Sequence, residues 1–339
     1  MSGGAVPVVD VSRCSDARFL ADAIQQSLST VGFLFIVGHG MEEQAEEMFK
    51  ISEHFFKNES LEEKQRCAYQ DNKGYTRVSQ EVLDPTKPAP DLKEGFNTGI
   101  ILRGDPPVPS HPLPSLFQQH AVKLAEFQHS CFSFCQRLLE AFAVALDLEP
   151  TFFTSQHGDG PDSTSILRFL HYPAIPAGSN VEPNRAGAHS DYGSLTLLFQ
   201  RKVGGEGLQL LPSTEPIEGG NWRDTGVVEN ALLVNIGDAM ELWSGARFKS
   251  TLHRVVLPSP IPPEGIPERF SIAYFNQPSP QASLKTVVPV SSISENDLAR
   301  MERKGVKPGA DITANEHLQA RLASTYKLAV PSSKASAIG

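Results

Sequence analysis

From residue 164 onward the chain reads as a series of short apolar runs cut apart by Gly and Pro, and few folds accommodate that pattern. The runs are SILRFLHY, GSLTLLFQ, GLQLLP, ALLVNIG, STLHRVVLP, RFSIAYFNQ and KTVVPV. So many short strands cannot all bury a face in one open layer, so a sandwich or jelly roll is expected. The part before it is different. VPVVDV (6–11) reads as a short strand, and DARFLADAIQQSLSTVG as a helix stopped by Gly32. FLFIVGHG reads as a buried strand entering a Gly-rich turn, and EEQAEEMFKISEHFFKN as a helix with one apolar face. Two Pro-rich loops follow, LDPTKPAPDLKEG and RGDPPVPSHPLPS. Apolar residues at helical spacing then predict one long helix over 115–147, and NEHLQARLASTYKL predicts a last helix. The expected class is mainly β with flanking helices. An α/β N-terminal region would occupy 1–110, a long packing helix 111–160, the jelly-roll core 161–290, and a C-terminal helix and tail 291–339.

The bulk properties narrow the function. The chain has 339 residues, 40% hydrophobic and 20% charged, which suits a large globular core. Its formal net charge is −9 and no Lys/Arg-rich run appears, so a nucleic-acid partner is not expected. No apolar stretch is long enough for a bilayer, so no membrane partner is expected either. MSGGAVPVVDVS lacks the features of a signal peptide, and SSKASAIG carries no peroxisomal or lipidation motif. Cys14, Cys67, Cys131 and Cys135 form no CxxC pair and read as small core residues in a reducing compartment. These features lead to the expectation of a cytoplasmic monomer acting on a small molecule.

Three β segments carry polar residues where strands usually carry only packing. GAHSDYGSLTLL places His189 and Asp191 two apart, and His253 interrupts the apolar alternation of STLHRVV. In RFSIAYF, strand alternation puts Arg269, Ser271, Ala273 and Phe275 on one side. A polar turn would explain the first pair alone. Two imidazoles and a carboxylate, however, match the facial triad of non-haem Fe(II) oxygenases, which leaves three metal positions open. A guanidinium beside a hydroxyl is a natural clamp for a distant carboxylate.

With that order and spacing on the page, the chain resembles the 2-oxoglutarate/Fe(II)-dependent dioxygenases of the isopenicillin N synthase-like branch. GAHSDYGSLTLLFQ, VNIGDAMELWSGARFKSTLHRV and RFSIAYF resemble the catalytic core, and VPVVDVS and VGFLFIVGHG its N-terminal part, so the likeness covers roughly residues 5–285. The resemblance implies a double-stranded β-helix, a distorted jelly roll, with iron at its open end. It implies that His189, Asp191 and His253 bind Fe(II). It also implies that Arg269 and Ser271 hold the distal carboxylate of 2-oxoglutarate and that Tyr172 touches this co-substrate. The family often has Asn two residues before that Tyr; here Leu170 stands there. The implied reaction consumes O2, releases succinate and CO2, and oxidises a substrate C–H bond, with ascorbate as an aid in vitro. LRFLHYPA, HSDYGSLTLLFQ and RFSIAYF look most like fungal pyrimidine (thymine) hydroxylases and relatives in fungal secondary metabolism. Arg168, Tyr192 and Phe275 are then the candidate substrate contacts. The alternatives are an Fe(II) oxidase without 2-oxoglutarate, whose Arg-x-Ser pair binds the substrate's own carboxylate, and a metal-dependent binding module. Asn235 and Asp238 are expected to shape a turn, DLKEGF (91–96) to border the substrate entrance, and His39 and His171 to be structural.

Overall fold

The computed structural model describes residues 6–326 apart from 85–89, 180, 182–183, 203–204, 217, 259 and 306–307. The chain begins with Val8–Asp10 (β1), Ala17–Thr30 (α1), Phe33–Val37 (β2), Glu42–Asn58 (α2), Leu61–Gln65 (α3), Gly74–Thr76 (β3) and Glu94–Thr98 (β4). A hairpin of Ile101–Leu102 (β5) and Val108–Pro109 (β6) leads into Ser115–Gln119 (α4), Ala121–Ala145 (α5) and Thr151–Thr154 (α6). The strands Ile166–Tyr172 (β7), Asn184–His189 (β8), Leu195–Gln200 (β9), Leu208–Leu211 (β10), Arg223–Asp224 (β11) and Leu232–Ile236 (β12) follow. Then come Asp238–Trp243 (α7), Leu252–Val256 (β13), Arg269–Asn276 (β14), Glu295–Arg303 (α8) and Ala314–Tyr326 (α9). No described helix is long and apolar enough to cross a membrane.

An eight-stranded sheet runs β1-β2-β12-β9-β14-β7-β4-β3, and a four-stranded sheet runs β11-β10-β13-β8. Their inner faces share one apolar cluster: Phe35, Leu170 and Leu233 from the large sheet meet Ala186, Leu208 and Val255 from the small one. This is the double-stranded β-helix. The outer face of the large sheet sends Leu34, Leu197, Phe169 and Ile272 against Phe127, Cys131 and Leu138 of α5. Burying side chains of this size stabilises the fold by about 1.5–3 kcal/mol each. Cys131 and Cys135 are fully buried here, as their apolar setting suggested. Strands from the N-terminal segment extend both edges of the jelly-roll sheet, β1 and β2 on one side and β3 and β4 on the other.

Local chemistry sets the boundaries. Asp16 caps α1 by accepting from the Phe19 amide at 3.0 Å. Gly32 ends it at φ +73°, where a Cβ would come within 2.0 Å of the Lys249 carbonyl oxygen. Four sequence expectations need correction. The long helix is broken at His120, whose φ of −107° leaves helical geometry. The break lets Phe117 turn into an aromatic cluster with Phe55, Phe96 and Phe169 while α5 follows its own axis. KTVVPV is not a strand, because the Val287 amide bonds the Trp243 carbonyl at the end of α7 instead of a strand neighbour. The segment NRAGAH is a strand, β8, although its small and polar residues show no alternation. It lies at the edge of the small sheet, and His189 is its last residue rather than the start of the run that follows. Helix α8 was not expected at all; Ser294 caps it by accepting from the Asp297 amide at 3.2 Å.

Candidate active site

β8 and β13 pair antiparallel with His189 directly opposite His253, which brings their rings to 4.3 Å between centroids. Asp191 lies two residues past β8, in the turn to β9. The turn is fixed from behind by α7: the Asp238 amide donates to the Asp191 carbonyl at 2.8 Å and the Gly237 amide to Ser194 at 3.1 Å. One ligand atom from each of His189, Asp191 and His253 falls within 4.8 Å of the others. Asp191 Oδ1 is 3.8 Å from His189 Nε2 and 3.7 Å from His253 Nε2.

The remaining atoms of the triad are already occupied. His189 Nδ1 donates to the Gly187 carbonyl at 2.8 Å, and His253 Nδ1 to the Thr251 carbonyl at 3.1 Å. A carbonyl can only accept, so Nδ1 carries the proton and Nε2 presents a lone pair. Burial, reinforced by the neighbouring His253, pushes His189 down to about 3 and keeps it neutral. Asp191 Oδ2 accepts from Thr196 Oγ1 at 2.6 Å and Asn235 Nδ2 at 2.7 Å, leaving Oδ1 toward the imidazoles. Burial alone would raise the Asp191 carboxyl, but the two imidazoles and these two donors hold it below the ordinary range. Thr196 and Asn235 are cross-strand partners on β9 and β12, so both reach the same oxygen.

Arg269, Ser271, Ala273 and Phe275 face inward along β14 as alternation required, opposite Tyr172, Leu170, Arg168 and Ile166 of β7. Arg269 is 2% exposed; its Nη2 donates to Gln200 Oε1 at 2.9 Å and its Nη1 to Ser271 Oγ at 3.3 Å. Its guanidinium lies 4.7 Å over the Tyr172 ring. A cavity of ≈ 70 Å³ joins Arg269, Ser271 and Tyr172 to all three residues of the triad. Leu170 is on its wall and offers no hydrogen bond where the family often has Asn.

A second pocket of ≈ 70 Å³ runs from His189 and Asp191 past Tyr192 and Phe275 to Arg168. Arg168 pairs with Glu81 at 2.8 Å, and Glu81 with Lys93 at 2.7 Å. Asp91 accepts from Lys93 at 2.5 Å and, through its other oxygen, from the Gly187 amide at 2.8 Å. DLKEGF, expected to border the substrate entrance, is a buried segment: Asp91 and Lys93 tie the pocket wall to the strand that carries His189. Burial would raise Glu81, but Arg168 and Lys93 hold it far below the usual carboxylate range. His171 faces the other side of the sheet, bonded to Glu94 at 2.8 Å and stacked on Phe270. His39 accepts from the Met41 amide in its turn.

Beyond the turn, α8 and α9 close over a buried ion cluster. Lys304 reaches Asp238 at 3.1 Å and Glu241 at 2.8 Å, Arg300 reaches Glu241 at 2.7 Å, and Arg321 reaches Asp238 at 3.3 Å. Sequence reading missed Thr196, Asn235, Glu81 and this cluster. Asn235 interrupting an apolar strand was the one available signal, and it had been assigned to the turn.

Comparison with known proteins agrees with this geometry. Residues 161–278 match the 2OG-Fe(II) oxygenase superfamily model, and residues 6–118 match that of the non-haem dioxygenase in morphine synthesis N-terminal region. The chain is 31% identical to the 2-oxoglutarate-Fe(II) type oxidoreductase hxnY of Emericella nidulans, over 83% of this chain and 81% of the relative. The chain belongs to the 2-oxoglutarate/Fe(II) oxygenases. Among this family it is also 31% identical to the validamycin A dioxygenase of Streptomyces hygroscopicus, over 83% of this chain and 79% of that protein. A full-length Neurospora crassa protein solved with alpha-KG and thymine superposes with a TM-score of 0.75 at 28% identity, covering 96% of this chain and 98% of that one. The protein is thus an oxidoreductase of the dioxygenase type that uses Fe(II), O2 and 2-oxoglutarate.

The residues present fit those groups. Two bare imidazole nitrogens and one free carboxylate oxygen form the donor set that suits Fe(II) in this family. The opposite atoms of the triad are all hydrogen-bonded, as ligands held for a metal need to be. The Arg269 Nε is buried with no hydrogen-bond partner among the described residues, consistent with a guanidinium set to receive an anion.

Proposed function

We propose that this 2-oxoglutarate/Fe(II) oxygenase hydroxylates a C–H bond on a small flat heterocycle of the pyrimidine class. The observation that carries the reading is the pocket beside the triad, which is lined together by Phe275, Tyr192 and Arg168. An aromatic ring suits a planar substrate. Arg168 and Glu81 set a donor beside an acceptor, the complement of a ring amide with its adjacent C=O and N–H. The thymine carried by the Neurospora crassa neighbour is a ligand of this kind.

In this reading His189, Asp191 and His253 hold Fe(II) through Nε2, Oδ1 and Nε2. Arg269 and Ser271 bond the distal carboxylate of 2-oxoglutarate, and the Tyr172 ring, 4.7 Å from the guanidinium, helps to keep it aimed. Bound iron with 2-oxoglutarate and O2 supplies the oxidising chemistry, yielding succinate, CO2 and the hydroxylated product. The chain contributes position and shelter: Thr196 and Asn235 fix the carboxylate, Phe275 and Tyr192 hold the ring, and the buried walls keep water away.

The test is O2-dependent succinate release, measured alone and with a panel of pyrimidines, other heterocycles, amino acids and sugars. Stimulation by a pyrimidine-type ring is expected, and Phe275→Ala should lower kcat/KM for that ring while substrate-free succinate release persists. Stimulation confined to a non-planar class would overturn the substrate reading. If Phe275→Ala merely loses stability, by about 3–5 kcal/mol, with coupling intact, Phe275 only packs the barrel.

A further inference from the structure

Helix α9 was expected only to close the chain, yet it reaches the pocket beside the triad. Leu318 and Leu322, one turn apart, line that pocket with Arg168 and Phe275. Both are buried, at 5% and 8% exposure, yet neither belongs to either of the two apolar clusters that build the described core. They line the pocket from outside those two clusters. The residues beside them on the same face grip the turn that carries Asp191. His317 Nε2 donates to the Tyr192 carbonyl at 3.2 Å, and the Arg321 guanidinium lies 4.7 Å over the Tyr192 ring. Arg321 Nη2 also donates to Ser190 Oγ at 3.3 Å, between the two metal-side residues of the turn. Four residues at i, i+1, i+4 and i+5 thus do two jobs. Two anchor the helix to the turn, and two line the space next to the triad.

A second fact bears on what this wall is for. The match to the oxygenase family model ends at residue 278, so α9 lies outside the part of the chain that carries the shared chemistry. A pocket wall placed there can differ between members without touching the iron or 2-oxoglutarate residues.

We propose that Leu318 and Leu322 are specificity-determining residues that form the apolar outer wall against the substrate, with Arg321 as a positioning residue that sets the Tyr192 ring. This rests on the reading that substrate occupies the pocket beside the triad, but not on which substrate it is. The wall admits a ligand whose far edge is apolar or bare C–H, opposite the polar edge that meets Arg168 and Glu81.

The experiment uses the full chain and the compound of the panel above that wild type couples best, whatever its class. Leu318→Ala, Leu322→Ala, Leu322→Trp and Arg321→Met are compared with wild type. Removing a leucine from an apolar substrate wall is expected to raise KM for that compound by about tenfold or more, and to shift the preferred compound toward bulkier members of its class. Leu322→Trp should fill the pocket and suppress stimulated succinate release. Arg321→Met should lower the ratio of product to succinate. The Kd for 2-oxoglutarate, read from the visible charge-transfer band of the anaerobic Fe(II) complex, should stay within about twofold throughout. The leucine variants should keep a cooperative thermal transition, whereas Arg321→Met, which also loses its contact with Asp238, should melt lower while still binding 2-oxoglutarate. Parallel weakening of 2-oxoglutarate binding, or an unchanged KM in both alanine variants and in Leu322→Trp, would overturn the wall. The class of the best compound tests the pyrimidine reading separately. If no compound couples, that reading fails, and α9 is judged on substrate-free turnover: Leu322→Trp should slow it several-fold, and no change in any variant overturns the proposal.

Discussion

Asp191 has two carboxylate oxygens, and the surrounding residues give them different jobs. Oδ2 is saturated by Thr196 and Asn235, so Oδ1 alone is left for the metal. A ligand held this way does not have to be ordered when the metal arrives. Asn235→Ala and Thr196→Val should therefore each weaken Fe(II) binding by roughly tenfold to a hundredfold, with the fold intact. A metal titration followed by the Fe(II)–2-oxoglutarate absorption band would show it; an unchanged Fe(II) Kd in both variants would mean that Asp191 orients itself. Of these residues, the triad and Arg269 were legible in the sequence because each chemistry demands one residue type. Thr196 was not, because a β-branched residue in SLTLLF is what any strand contains. The pairing of Arg168 with Glu81 was equally invisible, since 87 residues separate them.

At the scale of elements, the metal-side turn is held between α7 below and α8 and α9 above. The join is ionic: Asp238 and Glu241 are both 1% exposed and meet Lys304, Arg300 and Arg321. Buried charges of this kind contribute little when complete, and breaking one partner is costly because the other stays buried. Lys304→Met leaves Asp238 and Glu241 short of a cation and should destabilise the protein by about 3–5 kcal/mol. Urea denaturation measures it, and a loss below about 1 kcal/mol would show that the cluster is open to water. The same variant should disturb coupling more than 2-oxoglutarate binding, because α9, which shares Asp238 with Lys304 through Arg321, lines the pocket beside the triad. The strands were read well where a run of apolar residues is bounded by turn residues, as in β7, β9, β12 and β14. Edge strand β8 escaped because a strand paired on one side, with small and polar residues, has no alternation to read. Helix α8 escaped because its sequence, ENDLARMER, buries only Met301.

For the whole molecule, acid acts through groups held away from their usual charge. His157 is buried among Phe153, Ser194 and Trp243, and burial pushes it from 6.5 down to about 4. The unfolded chain takes up that proton near pH 6.5 and the folded chain only near pH 4, so folding is favoured above pH 6.5 and loses ground as pH falls between the two. The depressed carboxylates Asp238 and Glu81 act in the same direction but in a lower window, below their ordinary values near 4. Metal-free wild type should therefore lose stability in two stages on acidification. His189, also held down by burial, contributes to the same upper stage, so His157→Gln should reduce that stage by on the order of 3 kcal/mol without abolishing it; identical urea midpoints against pH for both proteins between 6.5 and 4.5 would refute it. By itself the sequence pointed to a sandwich or jelly roll, and its likeness to the family pointed to the double-stranded β-helix, the three candidate ligands and a candidate carboxylate clamp. These follow from short apolar runs between turn residues, from side-chain chemistry and from motif likeness, all of which are local in the chain. Only the tertiary structure decided which oxygen of Asp191 is free, that DLKEGF is buried beside His189, and that a helix more than a hundred residues downstream walls the pocket. Each of those is a pairing between distant segments, and no local periodicity records which distant segments will meet.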